Sequence, residues 1–406
     1  MDSLKLIFPL AWRNLWRNSR RSMLTMLAIF VAVFSMVVLG AFMRAWGNSS
    51  VIETINNLTG HGQIHQVNYL DDPNVDHRIS HLPNSLKVAL QSNNIRQYAK
   101  RVRVPAMLKT ERESAPVELY GIEPQQEDGL SFIANSVVQG HYFNSNNQRG
   151  IIIGEKLAAR LQTKLGRRLV VMSQGADGQI KERGLTIIGL FHGQVNLEKS
   201  VVFISLTQVQ TLLGIGSDFS ELVYRLPDEE NAEQVAQHLQ TKAGNLQVKS
   251  WNELQPFAKA MLEMSNATIF IWIIVSFGVV SFGLINTLLM AVFERMREFG
   301  LLQALGMKPR WLLLQLLLES SIMVGLATII GLLAGVLLIL AFANGINLGL
   351  GASYLGSAQL VYPKVDWQEI VMIGISVILL GLLASLYPAI KAAREVPVKV
   401  LAQASN

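Results

Sequence analysis

Hydrophobic and polar positions divide the chain into four long apolar runs and one long segment of mixed polarity. The runs that are nearly free of charge are residues 23–43, 269–293, 311–343 and 370–390. Each reaches the ~20 residues that a helix needs to cross about 30 Å of hydrocarbon. With their flanking residues, they predict four transmembrane helices at 23–47, 266–293, 311–343 and 367–393.

The segment between the first two predicted spans, residues 48–265, has the pattern of a mixed α/β domain. Short β-branched runs bounded by Gly, Asp or Asn predict strands at GQIHQV, GIIIGE, LVVMS, LTIIGLF, SVVFISL and ELVYRL. Helical spacing and a terminal glycine predict a helix at EKLAARLQTKLG. A strand–helix–strand (βαβ) unit is predicted across LVYRL, DEENAEQVAQHLQTKAG and LQVKSW. The predicted fold class is therefore four transmembrane helices with a large α/β domain inserted between helices one and two.

Composition and charge agree with a membrane protein. Half of the 406 residues are hydrophobic and 16% are charged, below the ~25% that is usual in soluble domains. Basic residues at three of the span flanks are Lys5, Arg13, Arg17, Arg20, Arg21, Arg295, Arg297, Lys308, Arg310, Lys391, Arg394 and Lys399. The short loop 344–366 offers only Lys364. The positive-inside rule then places both termini in the cytosol and 48–265 outside.

The charge pattern argues against a nucleic-acid-binding protein, and the first apolar run argues against a cleavable signal peptide. The net charge of +6 is largely this topology signal and does not indicate nucleic-acid binding. The first apolar run is too long for a signal-peptide core and lacks an Ala-x-Ala-like exit, so it is predicted to remain as an anchor.

Motifs for catalysis are absent from the sequence. There is no cysteine, no phosphate-binding loop and no Gly-x-Ser-x-Gly elbow; residues 175–182, GADGQIKE, predict a hairpin turn instead. His61/His65 and His77/His81 invite a zinc interpretation, but neither pair lies in a His-Glu-x-x-His frame. We therefore favour solvated or structurally satisfied histidines and predict no metal, cofactor or catalytic residue.

Three polar residues interrupt the predicted spans. Asn286 lies in span two, and Gln315 and Glu319 lie one helical turn apart in span three. Because a carboxylate within a membrane costs about 2.5–3.5 kcal/mol on insertion scales, it should face protein, water or a partner. For all three we favour a structural role between helices over a substrate or proton pathway.

Small residues recur at four-residue spacing in spans three and four. They are Ala327, Gly331 and Gly335, and then Gly381 and Ser385. Such stripes let helices approach closely. The spacing fits either packing within the chain or a subunit contact, and both alternatives stay open.

Residues 1–22 predict an amphipathic helix in the membrane interface. Trp12 and Trp16 share a helical face with Leu15, and the arginines listed above surround them. Tryptophan and arginine suit the headgroup region. The alternative is a plain cytosolic extension of span one.

The connection between spans two and three, residues 294–310, is short and amphipathic. Its sequence is ERMREFGLLQALGMKPR, with apolar positions at Phe299, Leu301, Leu302 and Leu305, and it ends at Gly306 and Pro309. An apolar helix face with charged flanks suits docking into a groove of a soluble partner. Such a partner could move both attached spans.

The sequence INTLLMAVFERMREFGLLQALGMKPRWLLLQLLLES resembles the signature of FtsX-like permeases, membrane subunits of the macrolide-exporter and lipoprotein-releasing class of ABC transporters. Matching residues are Asn286, Glu294, Arg295, Arg297, Glu298, Gly300, Ala304, Leu305, Gly306 and Glu319. The ending SLYPAIKAAREVPVKVLA is similar to the family's last span, with Tyr387, Pro388, Ala392, Ala393, Arg394 and Pro397 in place. VELYGIEPQQEDGLSFIANSVVQGHYF and RGIIIGEKLAARLQTKLGRRLVVMS look more like lipoprotein-releasing permeases, although RRLVV replaces a frequent Gly-Asp.

The resemblance implies a homodimer or related heterodimer of permeases with two cytosolic ABC ATPase subunits, which bind the ATP. The coupling helix would comprise Glu294, Arg295, Arg297, Glu298, Phe299, Gly300, Leu301, Leu302, Ala304, Leu305 and Gly306. Motion would pass through spans one and two to the periplasmic domain and release or export a hydrophobic or lipidated substrate from the bacterial inner membrane. A periplasmic adaptor or acceptor is a further implied partner, and 394–406 would be a cytosolic tail.

Two alternatives remain. One is an FtsX-like regulator that does not transport and that activates a periplasmic cell-wall hydrolase. The other is a membrane-anchored enzyme, which the lack of catalytic motifs disfavours.

Overall fold

A computed structural model of the chain describes residues 2–91, 95–144, 149–227, 231–304, 307–349 and 360–394. It divides into two compact units. The membrane unit comprises Met1–Gly47, Glu263–Asn347 and Leu360–Asn406, and the sheet unit comprises Asn48–Leu262 and Leu348–Gln359.

The helices are α1 (Asp2–Arg17), α2 (Ser19–Thr54), α3 (Asn84–Leu90), α4 (Pro124–Glu127), α5 (Glu155–Arg160), α6 (Val195–Ser200), α7 (Leu206–Leu213), α8 (Ala232–Gln240), α9 (Trp251–Leu254), α10 (Pro256–Glu294), α11 (Met296–Ala304), α12 (Pro309–Ala341) and α13 (Trp367–Arg394). A π-helical turn, Ile55–Thr59, follows α2, and a short 3₁₀ turn is Ile133–Asn135.

The strands are β1 (Gly62–Gln66), β2 (Gln97–Lys109), β3 (Ser114–Ile122), β4 (Val137–Gly140), β5 (Gly150–Gly154), β6 (Arg168–Gln174), β7 (Ile180–Phe191), β8 (Val201–Ser205), β9 (Glu221–Arg225), β10 (Leu246–Ser250), β11 (Ile346–Asn347) and β12 (Leu360–Val361).

Four helices of the described residues are long and apolar enough to cross a membrane, as predicted: α2, α10, α12 and α13. Two of them continue beyond the predicted spans. Helix α2 runs to Thr54, and α10 begins at Pro256 instead of residue 266. Hydropathy identifies only the apolar part of a helix, whereas helical backbone hydrogen bonds can continue into the neighbouring polar residues.

Small residues in α12 and α13 pack within the chain. A Cβ added to Gly335 would lie 2.8 Å from Val37 Cγ1 of α2, and one added to Gly331 would lie 3.0 Å from Val33 Cβ. A Cβ added to Gly381 would lie 2.8 Å from Val324 Cγ2 of α12. Ala327 and Ser385 are also buried. Of the two alternatives for this stripe, the structure selects packing between helices of one chain.

A ten-stranded mixed sheet forms the sheet unit, in the order β10-β1-β9-β2-β3-β8-β5-β7-β4, with β6 pairing with β2 and β7. The six predicted strands correspond to β1, β5, β6, β7, β8 and β9. The predicted hairpin turn joins β6 to β7, where Gln174 pairs with Ile180. The predicted strand–helix–strand unit is β9, α8 and β10, and β1 lies between its two strands, antiparallel to both.

Two features of this unit differ from the predictions. The helix expected across EKLAARLQTKLG ends at Arg160, and Gln162 follows with a positive φ of 49°. The long β2–β3 hairpin was not predicted. Arg101 and Pro105 interrupt the apolar pattern of β2; an arginine that is buried in an ion pair looks like a surface residue in a single sequence.

The two faces of the sheet are covered differently. One face carries the main apolar core, which includes Val102, Leu119, Ile153 and Val202. The opposite face carries a smaller aromatic cluster and a row of polar side chains from β1, β2, β3 and β9. The second face therefore holds the buried polar chemistry of the unit.

Candidate coupling site

The predicted coupling residues form the end of α10, a turn and helix α11. Glu294 ends α10, Arg295 lies in the turn, and α11 ends at Ala304. Leu305 and Gly306 lie outside the described residues, and the side chains of Leu302 and Ala304 are not described. The predicted short helix between spans two and three is therefore present over the residues that the structure describes.

The apolar side of α11 is directed partly inward, which corrects the predicted docking face. Phe299 is 5% exposed and packs in a cluster with Val292, Leu312, Leu316 and Ala389. Leu301, by contrast, is 58% exposed. At about 100° per residue the two side chains lie on opposite sides of the helix. Phe299 anchors α11 to its own unit, and Gly300 is buried as well.

The acidic residues of the coupling region pair with the N-terminal helices. Arg17 donates to both carboxylate oxygens of Glu298, at 2.6 Å and 3.2 Å. Arg21 likewise donates to both oxygens of Glu294, the Nη1–Oε2 distance being 2.9 Å. The hydrogen bond from Arg17 lowers the pKa of Glu298. Because these partners are far apart in the sequence, spacing alone could not reveal the pairs.

A buried ion pair joins the same region to span three. Arg295 Nη1 donates to Glu319 Oε2 at 3.3 Å, and its Nη2 donates to the carbonyl oxygen of Asn14 at 3.2 Å. Arg295 is 6% exposed and Glu319 8%. One guanidinium thus ties together α1, the α10–α11 turn and α12. Glu319 faces protein, as expected, and Gln315 is buried one turn away.

Asn286 is exposed on α10 and has no hydrogen-bond partner among the described residues, and its predicted structural role between helices stays a prediction. The neighbouring Thr287, which the sequence analysis did not single out, makes the polar contact to α2: its hydroxyl lies 2.7 Å from that of Thr25. The register of α10 therefore directs Thr287, and not Asn286, towards α2.

Sequence reasoning also missed a buried ion network in the sheet unit. Arg101 is fully buried and donates through Nε and Nη2 to Glu127, at 3.1 Å and 2.5 Å. Its Nη1 donates to the carbonyl oxygen of Leu58 at 2.5 Å and lies 3.8 Å from Glu221 Oε1. Burial raises the pKa of Glu221. No local pattern marks this network, because its members come from different elements.

The π-helical turn after α2 is held by the sheet. Besides Arg101, Gln63 of β1 donates to the carbonyl oxygen of Thr59 at 3.2 Å, and Arg225 of β9 donates to Asn56 Oδ1 at 2.7 Å. π-Helical turns are rare and often occur at functional sites. A cavity of about 310 Å³ beside this turn is lined by residues that include Leu58, Gln63, Arg103, Glu118, Tyr120 and Phe257.

The histidines considered for zinc do not converge. His65 is fully buried in β1 and stacks on Tyr69, whereas His61 is buried and accepts from the Leu226 amide at 3.3 Å. His77 contacts the carbonyl oxygen of Asp72 at 2.9 Å. The described residues contain no group of three or more metal-ligating side chains.

The fold and the coupling region define a class of protein. It is a polytopic membrane protein with an α/β domain inserted between its first two spans and a short helix in the connection between spans two and three. A family model described as the MacB-like periplasmic core domain matches residues 22–242, more than half of the chain. A second, the FtsX-like permease C-terminal model, matches residues 269–397. The chain belongs to the FtsX-like permeases with a MacB-like periplasmic core domain, a family of ABC transporter permease subunits.

Individual relatives are similar along nearly their whole length. The chain is 23% identical to the lipoprotein-releasing system transmembrane protein LolE of Haemophilus influenzae, over 97% of this chain and 98% of that protein. It is 24% identical to the uncharacterized ABC transporter permease YknZ of Bacillus subtilis, over 97% of each. The solved periplasmic region of MacB from Actinobacillus actinomycetemcomitans is 14% identical, covers 52% of this chain and 97% of that chain, and has a TM-score of 0.35.

Proposed function

We propose that the chain is a mechanically driven permease subunit, in which two partner ATPases dock on α11 and move the sheet unit. The substrate class that we propose is a lipidated or otherwise hydrophobic molecule, released or exported from the bacterial inner membrane. The similarity to LolE along the whole chain supports this class. ATP would be bound and hydrolysed in the partner subunits.

The observation that carries the proposal is the arrangement of α11. Phe299 and Arg295 anchor it to the membrane unit, while Arg297, Glu298 and Leu301 remain exposed. A short helix with a rigid inner face and an exposed apolar residue flanked by charge is suited to bind a groove and to transmit force. The bidentate Arg17–Glu298 and Arg21–Glu294 pairs would pass that force to the end of α1 and the beginning of α2.

Continuity of two helices supports transmission to the sheet unit. Helix α2 is continuous from Ser19 to Thr54, and helix α10 is continuous from Pro256 to Glu294. The π turn after α2 is in turn bound to the sheet by Arg101, Gln63 and Arg225. A displacement of α2 along its axis would therefore act on β1, β2 and β9.

Helix α10 supports pairing with a second permease subunit. In the most apolar part of α10, 17% of the residues are buried, whereas 39% are buried in the corresponding part of each of the other three membrane helices. Asn286 is exposed there, and Cβ atoms added to Gly278 or Gly283 would meet nothing within 4 Å. Small residues and an unpaired amide suit a close helix–helix contact. We place both termini in the cytosol and the sheet unit in the periplasm, on the basis of the basic span flanks.

The test of docking is Leu301→Glu, with Ile180→Glu as its control. Ile180 is 72% exposed in the sheet unit, so the control adds the same charge at another exposed apolar position. Removing a Leu contact of about 1.5–3 kcal/mol and burying a carboxylate should weaken ATPase association by more than about tenfold. Copurification of the ATPase from membranes measures this. Unchanged copurification of the Leu301→Glu variant would refute docking on α11.

The substrate class is tested separately. The complete complex, purified in mild detergent, should carry lipidated protein or another amphiphile that mass spectrometry identifies. If only bulk phospholipid is recovered, also when nucleotide hydrolysis is blocked, the proposed substrate class is wrong while docking on α11 stands.

A further inference from the structure

Helix α1 presents three differently used sides. Ala11 and Leu15 are buried, with Leu15 part of the membrane unit's apolar core. Trp12 and Trp16 are 43% and 42% exposed and lie together, with ring centroids 6.1 Å apart. At about 100° per residue, the tryptophans lie on one flank of the buried side and Arg17 lies on the other.

The helix is fixed where it joins the first membrane helix. A turn at Asn18 separates α1 from α2, and Ser22 Oγ donates to the carbonyl oxygen of Leu15 at 2.8 Å. Arg295 holds the carbonyl oxygen of Asn14 from the other side. The exposed tryptophans are thus presented by a held helix at the end of a membrane span, where aromatic side chains favour the headgroup region.

Four arginines near this junction fall into two pairs. Arg17 and Arg21 are neutralised by Glu298 and Glu294. Arg13 and Arg20 are exposed and have no carboxylate within ion-pair distance among the side chains that the structure describes. Arg13 lies opposite the buried side of α1, between the tryptophan flank and the Arg17 flank. The two pairs have equal formal charge but different surroundings.

We infer that Arg13 and Arg20, together with Trp12 and Trp16, bind the headgroups of anionic phospholipids, whereas Arg17 and Arg21 serve the coupling helix. A guanidinium forms charge-assisted, often bidentate hydrogen bonds with a phosphate oxygen pair. The anionic surface of a bilayer supplies phosphates at the depth where Trp12 and Trp16 reside. The occupant is a lipid surface, because the tryptophans add an apolar contact that free phosphate cannot use.

The two pairs of arginines permit a matched experiment on the full chain. The variants are R13Q/R20Q and R17Q/R21Q, each of which removes two positive charges. Both are placed in nanodiscs of phosphatidylcholine with phosphatidylglycerol, and native mass spectrometry counts the retained lipids after release. R13Q/R20Q should lower the retention of phosphatidylglycerol by roughly 25-fold, since each of the two surface arginines contributes about fivefold. R17Q/R21Q should change it less than about twofold.

Three outcomes would overturn the inference: unchanged phosphatidylglycerol retention in R13Q/R20Q, an equal loss in both variants, or an equal loss of phosphatidylcholine. Competition with free inorganic phosphate separates the two sources of phosphate, and release of phosphatidylglycerol by millimolar phosphate would also count against a lipid surface. The experiment involves no ATPase, so the inference and the proposed function can fail independently.

Discussion

The two units of the molecule differ in which side chains they expose and which they bury. The membrane unit leaves large apolar side chains exposed, for example Phe282 at 80% and Leu337 at 67%, because lipid covers them. The sheet unit buries both faces of its sheet and accommodates Arg101, Glu127 and Glu221 at 1% exposure or less. Burial therefore does not follow polarity: among the described residues, the least exposed charged side chains lie in the unit whose sequence is of mixed polarity.

Both units nevertheless use one arginine to join three elements. Arg295 joins α1, the α10–α11 turn and α12, and Arg101 joins β2, α4 and the π turn after α2. A buried ion pair contributes little net stability, but breaking one leaves an uncompensated charge. Each arginine therefore fixes the geometry of the elements that it joins within its own unit.

The largest effect is expected from Arg101→Met. The substitution leaves two buried carboxylates and the Leu58 carbonyl without their donor, and should destabilise the sheet unit by about 3–5 kcal/mol. Hydrogen exchange of β2, β9 and the π turn in the full chain measures this loss. The control is Arg103→Met, whose partner Glu118 is 44% exposed, so about 0–1 kcal/mol is expected. If the two variants lost the same stability, the distinction between the buried ion pair of Arg101 and the partly exposed ion pair of Arg103 would be wrong.

Acid should weaken the sheet unit through His65. Burial, and then the charge of Lys249, lower the pKa of His65 to about 4 from its ordinary 6.5. The unfolded chain therefore binds the proton first, and His65 reduces the free energy of unfolding as the pH falls from about 6.5 to about 4. The full effect of that shift is about 3 kcal/mol. Above pH 6.5 the effect is absent.

The measurement compares wild type with His65→Phe, a variant that keeps a ring against Tyr69. Hydrogen exchange of β1 at pH 7.5 and 5 should show the wild type losing more opening free energy than the variant. The comparison is needed because Glu221, the cross-strand neighbour of His65, has a raised pKa, and its protonation acts in the opposite direction. Parallel pH profiles of the two proteins would contradict the assignment to His65.

The smallest effect is expected in the membrane unit, from Gly335→Ala. The new Cβ would lie 2.8 Å from Val37 Cγ1 and 3.0 Å from Val37 Cβ, so the two helices must separate. Overpacking typically costs about 1–3 kcal/mol, and the higher helix propensity of alanine offsets about 1 kcal/mol of that cost. Gly325→Ala, in the same helix with open space at its Cβ, should be neutral or stabilising. Thermal unfolding in detergent distinguishes the two; a stabilised Gly335→Ala would show that α2 and α12 pack less closely.

Much of the architecture was readable in the sequence by itself. Four membrane helices followed from apolar runs, because a span must hydrogen-bond its own backbone and face lipid along its length. The strands from β5 to β9 and the β6–β7 turn followed from β-branched runs and glycines, which act locally. The motif around Glu294 to Glu319 indicated the permease family, which the family models confirm.

Only the tertiary structure decided which sides of these elements are used. It buried Phe299, exposed Asn286, placed Thr287 against Thr25 and brought Arg101 to Glu127. It also divided four similar arginines into a pair engaged by Glu294 and Glu298 and a pair left at the surface. The physical reason is range: helix and strand preferences act over a few residues, whereas the ion pairs and packing contacts join side chains that are tens to hundreds of positions apart and leave no period in the sequence.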